Sequence, residues 1–87
     1  MVVLDLRNNK ITPEGAHVLA NVLKDQNSIV SLDLRWNSIG VSGGRALEDC
    51  LHDNHTLTEL HVAGNEIDYK TQQAIGNCLH LHAFNII

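Results

Sequence analysis

The chain is expected to fold as an α/β solenoid of three consecutive 28-residue strand-helix units, wound right-handed, with a parallel sheet on the concave face. Three observations predict this. Cut at Met1, Ile29 and Leu57, the sequence aligns with itself without a gap, the mark of a repeat architecture. Each unit opens with apolar residues two apart and continues with apolar residues three and four apart, a strand period giving way to a helical one. An asparagine recurs at each change of period.

The strand comes first. Leu4, Leu32 and Leu60 share one column, and Leu6, Leu34 and Val62 share the next apolar one. Residues two apart on a strand face the same side, so these pairs point into the core and the residues between them point out. Consecutive strands joined through helices pair in parallel, and such crossovers are right-handed.

The turn follows. Asn9, Asn37 and Asn65 form a column, and Ile11, Ile39 and Ile67 form another. A side-chain amide both donates and accepts, so an asparagine ladder can satisfy turn backbone groups that no strand ladder reaches. Each lost amide in the core is expected to cost roughly 1–3 kcal/mol.

The helix returns on the outside. Thr12 and Pro13 suit an N-cap and a first helical residue, and Asp68, in the column of Thr12, suits a cap as well. Val18, Leu19, Val22 and Leu23 are expected to form the inward stripe. Ala46, Leu47, Cys50 and Leu51 repeat it, as do Ala74, Ile75, Cys78 and Leu79. Gly15 and Gly43 are matched by Thr71, so the third helix should open differently. The Gly40-Val41-Ser42-Gly43-Gly44 stretch lacks the lysine of a phosphate loop; it reads as room for close helix approach.

The pattern L-x-x-L-x-L-x-x-N-x-I, recurring in register, resembles the leucine-rich-repeat family. The 28-residue period is similar to its ribonuclease-inhibitor subtype. The resemblance covers nearly the whole chain, with units at 1–28, 29–56 and 57–84, and implies a single domain over 1–87. Terminal units of such arrays need polar caps. The first unit has no capping element before it, and the tail from Phe84 to Ile87 is apolar, so the segment reads as a fragment of a longer array. End-to-end packing with further repeats or another chain is the partner such ends would accept.

Composition narrows the function. A net charge of −4 and a pI near 5.8 argue against a nucleic-acid surface. No apolar run approaches the roughly 20 residues of a membrane span, and the start does not read as a signal peptide. Cys50 and Cys78 stand one period apart, on packed helices too far apart for a disulfide. Both read as small buried apolar residues in a reducing, cytoplasmic setting.

The outward strand residues are the expected binding surface. They are Val3, Asp5, Arg7 and Asn8, then Ser31, Asp33, Arg35 and Trp36, then Glu59, His61, Ala63 and Gly64. Of these, Asp5, Arg7, Asn8, Asp33, Arg35, Trp36, Glu59 and His61 are the candidate protein-binding residues. Trp36, the sole tryptophan, has two readings: an interface anchor, or a cover over its neighbours stacked on an arginine. Asp5 and Asp33 adjoin across strands, as do Arg7 and Arg35, so diagonal Asp–Arg pairing is expected to offset like-charge repulsion. The face is either a solvated charge ladder or a docking surface that orients a polar partner.

Other chemistry is not expected. His52, His55, His80 and His82 could gather toward a metal, but they lack obvious carboxylate support and read better as solvated helix-end histidines. No nucleophile–base–orienter set stands out, so neither a catalytic residue, a cofactor nor a metal is assigned. Asn54-His55-Thr56 matches a glycosylation sequon and is expected to go unused.

Leu4-Asp5-Leu6-Arg7-Asn8-Asn9, Leu32-Asp33-Leu34-Arg35-Trp36-Asn37 and Gly43-Gly44-Arg45-Ala46-Leu47 resemble a narrower group. They are similar to repeats of the centrosome-linker leucine-rich-repeat coiled-coil family and of axonemal leucine-rich-repeat proteins. That resemblance implies a non-enzymatic scaffold or protein-interaction module at a centrosome, basal body or axoneme, its partner a protein. The alternative is a regulator or inhibitor of an enzyme or small GTPase, as in the ribonuclease-inhibitor and Ran GTPase-activating families.

Overall fold

A computed structural model describes the backbone of residues 1–85 and the side chains of residues 1–81. The apolar tail singled out above, and His82 with it, lie outside the described side chains. The elements alternate: β1 (Val2–Asp5), α1 (Pro13–Leu23), β2 (Ile29–Asp33), α2 (Gly40–Asp53), β3 (Glu59–His61) and α3 (Tyr69–Asn85). The three strands form one parallel sheet in the order β1-β2-β3. Leu4 is paired with Leu32 and Leu32 with Leu60, so residues in one sequence column sit side by side.

The core lies between sheet and helices. Leu32, Leu34, Ile39, Leu47 and Leu57 are fully buried, with Leu23, Leu51 and Ile75 beside them. The strand leucines of the first unit, Leu4 and Leu6, are only half-buried because β1 is an edge strand. The same edge corrects the inward stripe of α1. Ala16, Ala20 and Leu23 are buried, whereas Val18 and Val22 stand 65% and 59% exposed. Their column mates Ala46 and Cys50 line the groove between α1 and α2. That column therefore faces the preceding unit, and no unit of the described chain precedes α1.

Helix starts follow local chemistry. Thr12 caps α1, its hydroxyl accepting from Gly15 N at 3.2 Å with Pro13 next in the chain. Asp68 caps α3, its Oδ2 accepting from Thr71 N at 3.3 Å. α2 has no side-chain cap; Gly40 takes φ +69 there, and its N–H donates to Asn65 O at 2.8 Å. Close approach of α2 needs the two glycines that follow. A Cβ on Gly43 would fall 2.6 Å from Ile39 Cγ2 and 2.9 Å from Ala16 Cβ, and one on Gly44 2.7 Å from Ile67 Cγ2.

Candidate functional site: the outward face of the sheet

The turns after the strands fix the site. Asn37, almost wholly buried, donates through Nδ2 to Leu6 O at 3.0 Å and Leu34 O at 2.9 Å. Its Oδ1 accepts from Asn9 N and Ile11 N at 2.8 and 3.0 Å. Asn65 repeats this one unit on, accepting from Asn37 N and Ile39 N and donating to Leu34 O and Val62 O. Each asparagine thus ties its own turn to the unit before it. Asn9 differs: it is exposed, and its amide donates to Arg7 O at 3.0 Å. The uniform cost expected of the ladder therefore does not extend to its first member.

This turn imposes a left-handed backbone on the preceding column. Asn8, Trp36 and Gly64 have φ of +58, +59 and +73. Asparagine and glycine accept that region readily, whereas a tryptophan is strained in it. Trp36 lies over Gly64, where an added Cβ would fall 2.6 Å from ring atom Cζ3. The residue is nevertheless 61% exposed. The ring thus covers a neighbour, as one reading expects, while much of the residue stays open to solvent.

The charges beside it pair chiefly along each strand, with one of the expected diagonal pairs formed as well. Arg7 folds back on Asp5, with Nε donating to Oδ1 at 3.0 Å and Nη2 to Oδ2 at 2.8 Å. Arg35 does the same to Asp33, at 3.0 and 2.6 Å. Residues i and i+2 share a face, so the arginine fork reaches its own strand's carboxylate in a bidentate geometry. The cross-strand contact is looser, Arg7 Nε lying 3.6 Å from Asp33 Oδ2. Asp33 is largely enclosed, its side chain 15% exposed. The Arg35 hydrogen bonds hold its carboxyl down to about 2 from the usual 3.8, against the opposing effect of partial burial. Arg7 lowers Asp5 in the same way, and each aspartate raises its arginine. On the third strand His61 Nε2 lies 3.4 Å from Glu59 Oε2. The eight candidate residues thus share one surface, with both arginines already oriented.

A second amide column escaped the sequence reading. Asn54 is 2% exposed; its Oδ1 accepts from Thr56 N and Leu57 N, both at 2.9 Å, and its Nδ2 donates to Leu23 O at 2.7 Å. Gln26, one period earlier, accepts from Ser28 N and Ile29 N at 2.7 and 2.8 Å. These amides shape the return from helix to strand. The shared column was the available signal, and the sequon reading masked it. The Asn54 nitrogen that glycosylation requires is buried and bonded.

On the helical side, His17 Nε2 meets Ser42 Oγ at 2.9 Å across a groove of about 440 Å³ between α1 and α2. Both cysteines are free. Cys50 is buried, and that burial, reinforced by Asp53 and Asp49, pushes its thiol up to about 11. Cys78 is only half-buried, contrary to expectation, and its thiol is raised chiefly by that burial. Among the described residues, no three His, Cys, Asp or Glu side chains come together as a metal-binding group. No helix among the described residues is long and apolar enough to cross a membrane.

The family model described as leucine-rich repeat matches residues 1–20, 26–47 and 53–70. No curated protein matches the sequence. With matched segments over most of its length, and strands and helices laid out as those repeats require, the chain belongs to the leucine-rich-repeat family.

Proposed function

We propose that the chain is a non-enzymatic protein-interaction module whose binding surface is the concave sheet face around Trp36. One observation carries this reading: a tryptophan held in a strained left-handed backbone yet 61% exposed. Strained backbone clusters at functional sites, and tryptophan is prominent among interface anchors. The Asp5–Arg7 and Asp33–Arg35 pairs present oriented polar groups beside it, so less side-chain freedom is lost on binding. Leucine-rich repeats commonly serve to bind proteins, which supports the same reading.

The setting we infer is a scaffold in a centrosomal or ciliary assembly. Its support is the similarity of the Leu4–Asn9, Leu32–Asn37 and Gly43–Leu47 segments to repeats of those families. Crosslinking in cells with the intact protein tests both parts. A partner captured by the wild type and lost with Trp36→Asn, but kept with Asp49→Ala on the helical side, is the expected result. Capture unchanged by Trp36→Asn would overturn the binding surface. A partner set without centrosomal or ciliary proteins would overturn the setting.

A further inference from the structure

Gly64 stands where the backbone alone does not demand glycine. It shares a column with Asn8 and Trp36, and Asn8, Trp36 and Gly64 take φ of +58, +59 and +73. The first two units thus already carry side chains on this left-handed backbone. Asparagine is at ease there, so conformation leaves a side chain open to the third unit as well. Space does not. A Cβ on Gly64 would fall closest to Trp36 Cε3, and 2.6 Å from Cζ3 and 2.7 Å from Cδ2. Those two atoms flank Cε3 in the six-membered ring. Both lie closer than an approach in the ring plane allows, so the Cβ position is over the face of the ring. The Gly64 Hα on that side points at the same face.

The ring therefore has a seat on the backbone of the next unit. The left-handed backbone at Trp36 sets where its Cβ leaves the chain, and the bare Cα of Gly64 lets the ring come down on it. The position before Gly64 is equally stripped: Ala63 stands where the first two units have Arg7 and Arg35. Trp36 stays 61% exposed, so much of the surface it presents lies off the Gly64 contact. An aromatic side chain seated before a partner arrives loses less freedom on binding.

We propose that Gly64 is a positioning residue of the interaction site, acting through Trp36 by seating its ring in the pose that a partner protein meets. This rests on the reading of Trp36 as the anchor, and two sets of measurements separate the two. NMR of the free, full chain reads the seating. The Gly64 Hα over the ring should be shifted upfield in wild type, and Trp36→Asn should abolish that shift. Gly64→Asn, with circular dichroism confirming its fold, should change the quenching of Trp36 by iodide. Titration against the protein captured by wild type in cells, once purified, reads binding. Gly64→Asn should weaken it about three- to tenfold. In a Trp36→Asn background, titrated to higher concentration, the same substitution should add nothing. A Gly64 Hα without the upfield shift, binding by Gly64→Asn equal to wild type, or an undiminished loss in the Trp36→Asn background would each overturn the proposal. Capture indifferent to Trp36→Asn would overturn the anchor reading and the proposal with it, and an Hα shift still present in wild type would mark that failure as one of the anchor and not of the seating.

Discussion

Trp36 and its neighbours set what single residues can reveal. Both Trp36→Ala and Trp36→Asn remove the ring, but only asparagine is at ease at φ +59. Trp36→Asn should therefore be more stable than Trp36→Ala by about 1 kcal/mol in urea unfolding; equal stabilities would remove the strain from the account. The asparagine ladder gives a second contrast. Asn37→Ala strips bonds from a nearly buried amide and should cost about 1–3 kcal/mol. Asn9→Ala loses one exposed bond and should cost under about 1 kcal/mol. Asp33 adds a pH signature. Its folded pKa is depressed to about 2 from 3.8, so its stabilisation is fully present above the higher value and fades as pH falls toward the lower one. The stability gap between wild type and Asp33→Asn should narrow from about pH 4 to about pH 2, and a gap that holds constant across that window would contradict the Arg35 pairing.

At the scale of elements, two helical glycines do opposite things. Gly44 faces Ile67 at a distance that leaves no room for a methyl group, so Gly44→Ala should cost about 1–3 kcal/mol through forced displacement. Gly76→Ala meets open space and should gain about 0.5–1 kcal/mol from helix propensity. Thermal melts of the two variants, shifted in opposite directions, check this. Elements are also where the sequence was most readable. Strand leucines, the turn asparagines and the Thr12 and Asp68 caps each follow from periodicity or a local hydrogen bond. The reading failed where burial depends on a neighbour. Periodicity puts Val18 and Val22 on the same helical stripe as Leu19 and Leu23, but only an adjacent unit can cover that flank. The tighter along-strand Asp–Arg pairing also lay beyond pattern, because strand register allows both diagonal and along-strand partners and side-chain rotamers set which is closer. Gln26 and Asn54 were legible as a column, yet a lone amide at a helix end has many uses and its role appears only with its partners in place.

For the whole molecule, one ladder of strands, turn amides and helix contacts serves two purposes. It seals the core between consecutive units, and it holds the outward residues at fixed spacing on a shared face. The second purpose is the one proposed for function. Asp5, Arg7, Asp33 and Arg35 are paired before any partner arrives, and Trp36 is the aromatic surface among them. Because Trp36 is the sole tryptophan, its emission reports directly on that face. Titrating the protein with the partner captured in cells, the partner's own signal subtracted, should shift Trp36 emission to shorter wavelength and shield it from iodide. Emission and quenching that stay unchanged at saturating partner would show that binding happens elsewhere and contradict the account.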